Sequence, residues 1–502
     1  MNTRAIRSHL LLASIFLSAI TSEASAIAHL DSPVIGITGR PVTITGTGLF
    51  QWATPKTKQK IIWTNGTRTI TQSWADANWW TDTKIVTRMP AAVAYGWTVT
   101  VQIDSVPGNA APVWPYVLTI VPIPLPGVGS LPLEVAWDPA PAGLGTAWIS
   151  AEFGNSIYSV NPATATVFSR VDFPQDPNLF LYVDPLGNAV QTSNTNSFDV
   201  LEVIGNEKWA VEGGWQQYDG PLWAGSRLVR IIGNQYECFP APGSSWALYG
   251  MTKDASTGRV QVVSADLRAL YSFNPSEFTA AQKSCTDSFF PPICATPDQT
   301  ACWLEEALPY YTCPYPVHIV VNSNKTYVGC YYSSNLAVKE NGVWHIETFP
   351  DAPPSRTVCQ ENYCPGPISQ PFYLSAYGNS VFMSQDNAGR VDQLTDTGVI
   401  TAYPVAGMDW QPDGSPNCPG GVHSVHAVAG GVWYTIWSGQ YGTGCGGIGF
   451  LNTSTGASSF IDTEAFGVTQ GSAGIKAIQT NRAIVAANWA DGSVTVLSRK
   501  DL

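Results

Sequence analysis

Residues 133–168 read LEVAWDPAPAGLGTAWISAEFGNSIYSVNPATATVF, and the pattern of this segment indicates the fold class. It contains four short runs rich in apolar residues, at 133–138, 146–150, 155–161 and 165–168, separated by Gly, Pro, Asn and Thr. Short runs of β-branched and aromatic residues between such turn-forming residues are typical of β-strands. The stretch therefore predicts one small antiparallel sheet of four consecutive strands.

The same succession of strands and turns recurs towards the C-terminus. Units begin at or near Leu181, Leu248, His318, Pro371, Val422 and Gly474. A single small sheet cannot cover both of its faces, whereas sheets stacked around an axis cover one another. The sequence therefore predicts an all-β ring over residues 133–502, a six- or seven-bladed β-propeller. The last unit has only three strands, so we predict that a strand from 113–121 or 133–137 completes it.

The composition supports an all-β protein and limits its partners. Only 12% of the 502 residues are charged, whereas 45 Gly and 37 Pro supply turns, as in proteins built from many short strands. The net charge of −12 disfavours nucleic acid, which needs a basic surface, and also anionic lipid. Since no later segment is apolar over eighteen residues, we predict no membrane span.

Residues 1–26 have the pattern of a secretory signal peptide. Basic residues precede an apolar run at 10–20, and the small residues Ala24-Ser25-Ala26 follow it. This order of basic, apolar and small residues predicts cleavage after Ala26. We expect the mature protein to be secreted, in the periplasm or outside the cell.

The ten cysteines support export, because an even number of cysteines in an exported chain predicts disulfides. Four of them crowd residues 276–315, which we predict to be a Cys-rich insertion with a short helix at 303–308. The spacing suggests the local pairs Cys359–Cys364 and Cys418–Cys445. It leaves the complete disulfide map open, because connectivity cannot be deduced from spacing.

The alternating pattern of residues 27–121 predicts a separate module in this part of the chain. VTITGTG at 42–48 and WTVTVQI at 97–103 alternate apolar and polar residues, and Asn65-Gly66 marks a hairpin turn. About ninety residues with this pattern suit an immunoglobulin-like β-sandwich. The proline-rich residues 122–132 predict a stiff linker to the ring.

Both parts resemble known families. PVIG at 33–36 with VTITGTGLF at 42–50 resembles the opening of an IPT/TIG immunoglobulin-like domain, a module that usually serves as a binding unit or spacer. TAWIS at 146–150, NSIYSVNP at 155–162 and GRVDQL at 389–394 resemble the virginiamycin B lyase-like propellers. Relatives of these propellers have NHL or gluconolactonase-type repeats.

The propeller resemblance implies a metal-dependent lyase or lactonase, with a channel histidine as base and a divalent cation held by acids. His423 and His426 are the candidate catalytic residues, and because they lie three apart on a strand, at most one faces the channel. Glu152, Asp386 and Asp491 each follow the second strand of a unit and are candidate ligands for Mg²⁺ or Ca²⁺. The alternative interpretation is that such residues merely form tight turns.

Trp79 and Trp80 are candidate ligand-binding residues. Neighbours on one strand point to opposite faces, so one of them is predicted to be exposed, where it can stack on a carbohydrate or a partner protein. Two functions remain open. We favour an exported protein that binds a carbohydrate, cell-surface or protein ligand through a loop face without catalysis, because no nucleophile elbow or cofactor fingerprint occurs. The alternative is the metal-dependent lyase or lactonase.

Overall fold

The computed structural model describes much of the chain between residues 27 and 500, and the predicted signal peptide lies outside it. The described residues are 27–31, 33–123, 131–139, 145–152, 156–173, 181–183, 189–191, 198–212, 227–233, 235–240, 248–254, 257–278, 283, 303–309, 311–352, 358–360, 363–408, 421–437, 446–468, 477–480, 483–488 and 491–500. They form two compact units, one up to Pro115 and one from Tyr116 to Lys500. None of the helices in these ranges is long and apolar enough to cross a membrane.

The first unit consists of two antiparallel sheets. Its strands are β1 (His29–Leu30), β2 (Val34–Ile37), β3 (Pro41–Thr47), β4 (Gln59–Thr64), β5 (Thr69–Ser73), β6 (Ala77–Trp80), β7 (Lys84–Arg88), β8 (Thr98–Ile103), β9 (Val106–Pro107) and the start of β10 (Ala111–Pro122). One sheet has the order β1-β3-β7-β6, and the other contains β10-β8-β4-β5. Short 3₁₀ turns occupy Lys56–Lys58 and Trp74–Asp76. Both sheets contribute to one core, which includes Ile44 and Ile85 from the first and Trp63 and Val101 from the second. Alternation along the strands produces this core, because every second residue points inward.

The second unit contains seven four-stranded antiparallel sheets among its described residues. Sheet 1 comprises β11 (Leu131–Asp138), β12 (Thr146–Glu152), β13 (Ser156–Asn161) and β14 (Thr166–Asp172); sheet 2 comprises β17 (Phe198–Ile204), β18 (Glu207–Glu212), β19 (Arg227–Ile232) and β20 (Gln235–Pro240); sheet 3 comprises β21 (Leu248–Lys253), β22 (Val260–Ser264), β23 (Ala269–Phe273) and β24 (Trp303–Ala307). Sheet 4 comprises β25 (Pro316–Asn322), β26 (Lys325–Cys330), β27 (Asn335–Glu340) and β28 (Val343–Thr348); sheet 5 comprises β31 (Pro371–Tyr377), β32 (Ser380–Gln385), β33 (Arg390–Thr395) and β34 (Ile400–Pro404); sheet 6 comprises β35 (Gly421–Val428), β36 (Gly431–Trp437), β37 (Gly447–Asn452) and β38 (Ser458–Asp462). Sheet 7 comprises β39 (Ala477–Gln479), β40 (Ala483–Asn488), β41 (Ser493–Arg499) and the second half of β10.

Short elements lie between these sheets. Two hairpins are formed by β15 (Leu181–Val183) with β16 (Ala189–Gln191), and by β29 (Val358–Gln360) with β30 (Tyr363–Gly366). Two further 3₁₀ turns occupy Pro275–Glu277 and Glu464–Phe466.

The seven sheets follow one another in a closed cycle. The first strand of each sheet contacts the first strand of the next, and β39 of sheet 7 contacts β11 of sheet 1. Apolar clusters lie between neighbouring sheets; one of them joins Val121 and Val496 of sheet 7 to Ile149 of sheet 1. This cycle of sheets that cover one another is consistent with the predicted propeller.

Strand β10 settles which segment completes the last sheet. Its residues Tyr116 to Pro122 pair antiparallel with Arg499 to Ser493 of β41. Of the two alternatives left by the sequence, the strand within 113–121 is therefore confirmed. The second unit is closed by the strand that precedes its own first sheet.

A feature that the sequence did not predict is a β-bulge near the start of the first strand. It occurs in β11, β17, β21, β25, β31 and β35, where the first strand has one more residue than its partner. In β35 the extra residue is His423, between Val422 and Ser424. A bulge interrupts the strict alternation of side chains and so redirects those beside it.

Two local predictions were wrong, whereas the predicted unit starts near Leu248 and His318 were confirmed. Leu248 and His318 lie at the start of first strands as predicted, but the unit predicted near Leu181 starts at Phe198. Residues 303–307 form a strand rather than a helix. Their Leu, Glu and Ala residues favour helices, but pairing with β23 overrides that preference.

The cysteines are described in part. Cys313 and Cys330 are buried and joined by a disulfide, with their Cα atoms 4.8 Å apart. This bridge connects the end of the predicted insertion to β26 of sheet 4. The predicted pairs Cys359–Cys364 and Cys418–Cys445, and most of the insertion, lie outside the described residues and side chains.

Candidate functional site

A cluster of polar and aromatic side chains occupies one end of sheets 4 to 6. In an antiparallel pair, the start of the first strand lies beside the end of the second strand. Residues near the bulge of a first strand therefore meet residues that follow a second strand. We call the residues that meet here the His423 cluster: His423, Asp386, Tyr331, Phe372, Tyr373 and Trp437.

His423 and Asp386 lie at the centre of the cluster. The His423 Nδ1 is 3.9 Å from the Asp386 Oδ1, which is an ion-pair distance but longer than a hydrogen bond. The Tyr331 hydroxyl donates to the other oxygen, Oδ2, at 3.2 Å. Nδ1 is buried and makes no hydrogen bond to a described residue. The cluster thus holds an imidazole nitrogen close to a carboxylate, and no described residue uses the hydrogen-bonding capacity of that nitrogen.

Aromatic rings surround the imidazole. The His423 ring lies 4.6 Å from Phe372, 5.7 Å from Tyr373 and 5.1 Å from Trp437. Phe372 and Tyr373 are consecutive, yet both contact His423 because they lie at the bulge of β31. Phe372 and Trp437 are half-buried, so parts of their rings are exposed.

A second imidazole adjoins the cluster through Tyr373. The His318 ring is 5.1 Å from Tyr373, and its Nε2 is 3.7 Å from Glu202 Oε1. His318 belongs to β25 of sheet 4, and Glu202 belongs to β17 of sheet 2. Tyr373 therefore lies between two histidine–carboxylate pairs.

A row of tyrosines extends the aromatic surface towards sheet 3. Ring contacts lead from Tyr331 to Tyr332 at 4.9 Å, to Tyr315 at 5.1 Å and to Tyr249 at 6.0 Å. We call these four residues the tyrosine row, and all four are half-buried. The row and the His423 cluster form one aromatic surface, since Tyr331 belongs to both.

The backbone around His423 is held by hydroxyl groups. Ser384 Oγ accepts from the Tyr373 N–H at 2.9 Å and donates to the His423 carbonyl at 2.8 Å. The Ser424 N–H donates to Thr435 Oγ1 at 3.1 Å. These bonds satisfy backbone groups that a bulge removes from the ladder. Gly421 also contributes, because a Cβ there would collide with the carbonyl and carboxylate oxygens of Asp386.

Burial fixes the protonation of Tyr331. Desolvation and then the nearby Asp386 carboxylate raise the pKa of the Tyr331 hydroxyl well above 10. The phenol therefore stays neutral and remains a hydrogen-bond donor to Asp386 at physiological pH. In sheet 5, which also carries Phe372 and Tyr373, Arg390 donates to both oxygens of the buried Asp392 at 2.8 and 3.1 Å. Burial raises the pKa of that carboxyl above its usual value.

The predicted catalytic and metal-binding residues are brought together only in part. His423 and Asp386 are neighbours, whereas His426 lies about 10 Å further along β35, opposite Trp433. Asp491 accepts a hydrogen bond from Ser493 Oγ at 2.7 Å in the turn before β41, as the turn interpretation predicts. The side chain of Glu152 lies outside the described part of the chain.

A metal site would need more ligands than this pair supplies. Among the described residues, no three His, Cys, Asp or Glu side chains are placed to hold a metal ion. Mg²⁺ and Ca²⁺ require several oxygen ligands, so the described residues do not fit the predicted cation. Whether Glu152, Asp386 and Asp491 hold a cation together stays a prediction, because the side chain of Glu152 lies outside the described part of the chain.

The two predicted tryptophans of the first unit lie in different surroundings. Trp80 is buried, stacks on Trp74 at 5.2 Å and donates its indole N–H to the Leu49 carbonyl. Trp79 is 60% exposed. The core position of Trp80 leaves Trp79 as the member of the pair that can meet a ligand.

Sequence reasoning missed most of the aromatic residues in the cluster. Tyr331 and Tyr332 directly follow a second strand, as Asp386 does, and Phe372-Tyr373 starts a first strand as His423 does. The signal was therefore positional. Aligning the units on these two positions would have placed the residues together.

No family model matches this chain, and no curated protein matches its sequence. An auxiliary nutrient binding protein of Bacteroides thetaiotaomicron is similar in structure over 95% of this chain and 98% of its own, with 8% identity and a TM-score of 0.34. A 6-phosphogluconolactonase-like protein of Bacteroides uniformis is similar over 81% of this chain and 95% of its own, with 10% identity and a TM-score of 0.34. A luciferin-regenerating enzyme is similar over 72% and 86%, with 10% identity and a TM-score of 0.31. Function is therefore inferred from the geometry of the site.

Proposed function

We propose that this protein is an exported binding protein that holds a carbohydrate at the His423 cluster and the tyrosine row, without catalysing a reaction. The observation that supports this most directly is the aromatic surface from Tyr249 to Trp437, in which several rings are half-exposed. Such rings offer flat apolar faces, and the tyrosines add hydroxyl groups at their edges. Sugars present the complementary combination of C–H faces and hydroxyls.

The polar groups of the cluster suit hydroxyl recognition. Asp386 accepts a hydrogen bond from Tyr331, and the tyrosine hydroxyls can donate and accept. The His423 Nδ1 has no hydrogen-bond partner among the residues that the structure describes. A few placed polar groups on a mainly apolar lining are typical of small-molecule sites. The carboxylates Asp386 and Glu202 make a neutral ligand more suitable than an anionic one.

Export is the second part of the proposal. It is supported by the signal-peptide pattern at 1–26 and by the Cys313–Cys330 disulfide, because disulfides persist in oxidising compartments. In the same proposal the second unit is a seven-bladed propeller of the virginiamycin B lyase-like kind, and the first unit is an IPT/TIG-like module. The two-sheet core of the first unit supports the latter assignment.

Binding is tested with defined neutral hexasaccharides of β-glucan, xylan and mannan, titrated calorimetrically into the full mature chain. We expect saturable binding to at least one of them, and we expect Phe372→Ala to weaken it about tenfold, as for an aromatic anchor in a binding site. His345→Gln is the matched control, since His345 lies on the outer strand β28 and is 43% exposed in its side chain. Absence of binding to all three, or equal binding by Phe372→Ala, would contradict the proposal.

The alternative function is a metal-dependent lyase or lactonase. What favours it is that one predicted histidine, His423, and one predicted acid, Asp386, meet in the ring. Elemental analysis of the purified protein distinguishes the two proposals. A stoichiometric divalent ion that is lost in Asp386→Asn would support the enzyme, and its absence from the protein purified without chelator would count against it.

A further inference from the structure

A tryptophan of the first unit is displayed to solvent on a fixed turn. Trp52 is 91% exposed, although tryptophan is normally among the highly buried residues. It lies in the segment between β3 and β4, shortly after Phe50, which is buried. An exposed indole offers a large flat apolar face with an N–H at its edge, and such a group can contact a ligand.

The turn is held by a buried amide. The Gln59 side chain is fully buried, and its Nε2 donates to the carbonyls of Gln51 and Thr54 at 3.1 and 3.0 Å. The Thr54 N–H also donates to the Gln51 carbonyl at 3.1 Å. Because these bonds enclose Trp52 on both sides, its backbone is fixed before any ligand arrives, which reduces the entropy cost of binding.

The Trp52 indole is the end of a row of contacting rings, and a lysine lies over the last ring of that row. Phe50 lies edge-on to Trp52 at 4.8 Å and contacts Trp74 at 4.9 Å. The ammonium group of the exposed Lys56 lies 4.6 Å from the centre of the Trp74 ring. The ring face of Trp74 holds this ammonium by a cation–π interaction. A positive charge is therefore held on the same row of rings as the exposed indole, with Phe50 between Trp74 and Trp52. We call Trp52, Phe50, Trp74 and Lys56 the Trp52 patch.

The charge of the first unit differs in sign from that of the remaining chain. Residues 27–115 contain seven Lys or Arg and four Asp or Glu, a net charge of +3. Residues 116–502 contain 16 Lys or Arg and 32 Asp or Glu, a net charge of −16. The first unit is therefore the part of the chain whose net charge attracts an anionic ligand.

We propose that the Trp52 patch binds an acidic polysaccharide. The Trp52 indole stacks on the C–H face of one sugar ring, and the Lys56 ammonium pairs with the carboxylate of a neighbouring uronic acid. The net positive charge of the unit attracts the polyanion over a longer distance. This site is separate from the His423 cluster and does not depend on the function proposed there.

An anionic bilayer would meet the same two residues, but the chain as a whole argues against it. An extended anionic surface repels the −16 charge of residues 116–502, whereas a polysaccharide strand can engage the first unit alone. A bilayer also needs a band of exposed apolar residues for insertion. Trp52 is flanked instead by Gln51 and Ala53, with Thr54 and Lys56 beyond them.

The experiment titrates the full mature chain with an oligogalacturonate of eight residues, followed by calorimetry and tryptophan fluorescence. The fully methyl-esterified oligomer is the matched neutral ligand. We expect saturable binding of the acid that weakens with added salt, and much weaker binding of the ester. Trp52→Ala should raise Kd about tenfold and reduce the fluorescence change. Lys56→Gln should raise Kd about threefold, as for an exposed charge at an interface.

Control variants distinguish binding at the Trp52 patch from general charge attraction and from binding at Trp79. Lys84→Gln, another exposed lysine of the first unit, should leave Kd unchanged. An equal loss of affinity in Lys84→Gln and Lys56→Gln would overturn the proposed site, because general charge attraction would then explain binding. A loss of affinity in Trp79→Ala with none in Trp52→Ala would also overturn it and would place the ligand at Trp79. No saturable binding, or tighter binding to vesicles with 30% anionic lipid than to the oligomer, would overturn the proposal. Phe372→Ala should not change binding here, so failure of the His423 cluster as a sugar site leaves this test intact.

Discussion

Two histidines on first strands, His423 and His318, are similar in burial but differ in how their carboxylate partners are held. Both are 8% exposed, both contact Tyr373, and each lies less than 4 Å from a carboxylate. Asp386, beside His423, belongs to the adjacent sheet and also accepts from Tyr331. Glu202, beside His318, comes from two sheets away, and its side chain is 27% exposed against 15% for Asp386.

The two histidines occupy different places relative to the bulge that the first strands share. His423 is itself the extra residue of its bulge, whereas His318 follows the bulge of β25 and pairs with Gly329. Asp386 is fixed by its own backbone, whose N–H donates to the Gln370 carbonyl at 3.0 Å. The carboxylate beside His423 is therefore held by Tyr331 and by its own backbone, and it is less exposed than the carboxylate beside His318.

The largest effect is expected from Asp392→Ala in sheet 5, which supports the His423 side. It leaves the Arg390 guanidinium buried without its carboxylate, and breaking a buried pair in this way costs about 3–5 kcal/mol of unfolding free energy. Denaturant unfolding measures the loss. Asp392→Asn should lose less, because an amide oxygen still accepts from Arg390. A loss below about 1 kcal/mol in Asp392→Ala would show that this pair does not hold the sheet.

A smaller effect is expected from Gly421→Ala, which acts directly on Asp386. The added Cβ collides with Asp386 oxygens, and forced overpacking costs about 1–3 kcal/mol. Gly430→Ala in the same hairpin is the control. A Cβ there meets no described atom within 4 Å beyond its chain neighbours, so the strain comes from its φ of +83°. Both variants should be destabilised, but only Gly421→Ala should also lose carbohydrate binding. Retained binding in Gly421→Ala would separate Asp386 from the ligand.

Much of the fold was predictable from local patterns. Strands of sheet 1 fall within a few residues of the runs at 133–168, and the closing strand was one of two alternatives. The helix expected at 303–308 failed because pairing with β23 is a long-range contact that local propensity does not contain. The start of sheet 2 was misplaced because the hairpin at Leu181 has the same alternation as a blade strand.

For the candidate site, the sequence could suggest single residues but not which side chains lie together. His423 could be named as a candidate because the chain has only 6 histidines, and Asp386 because it stands at a position that recurs between units. The alternation rule separated His423 from His426, but it could not show that a bulge directs Phe372 and Tyr373 to the same imidazole. A bulge depends on register between strands, and register is set by the whole sheet.

Substituting each histidine compares the two sides directly. His423→Gln should weaken binding of the tightest neutral hexasaccharide about tenfold, because it removes a central polar group of a preorganised site. His318→Gln should weaken it about twofold, since that imidazole adjoins the His423 cluster through the Tyr373 ring and is not itself a member of it. Calorimetric Kd values for both variants, with His345→Gln as control, provide the comparison. Equal losses at His423 and His318 would mean that the ligand spans both sides.

The smallest effect concerns Tyr331, whose hydroxyl holds Asp386 beside His423. Its pKa is raised well above 10, whereas an unfolded tyrosine releases its proton near 10. Above pH 10 the folded state therefore binds more protons than the unfolded state, and stability falls as pH rises. Tyr331→Phe removes this contribution, so its unfolding free energy should fall less steeply with pH between pH 9 and 11 than that of the unmodified protein. The two slopes should differ by at most about 1.4 kcal/mol per pH unit.

Tyr327→Phe is the matched control, because burial raises the pKa of Tyr327 to about 12. It should flatten the same slope without changing carbohydrate affinity, whereas Tyr331→Phe should change both; an affinity that Tyr331→Phe leaves intact would show that Asp386 keeps its position beside His423 without the phenol.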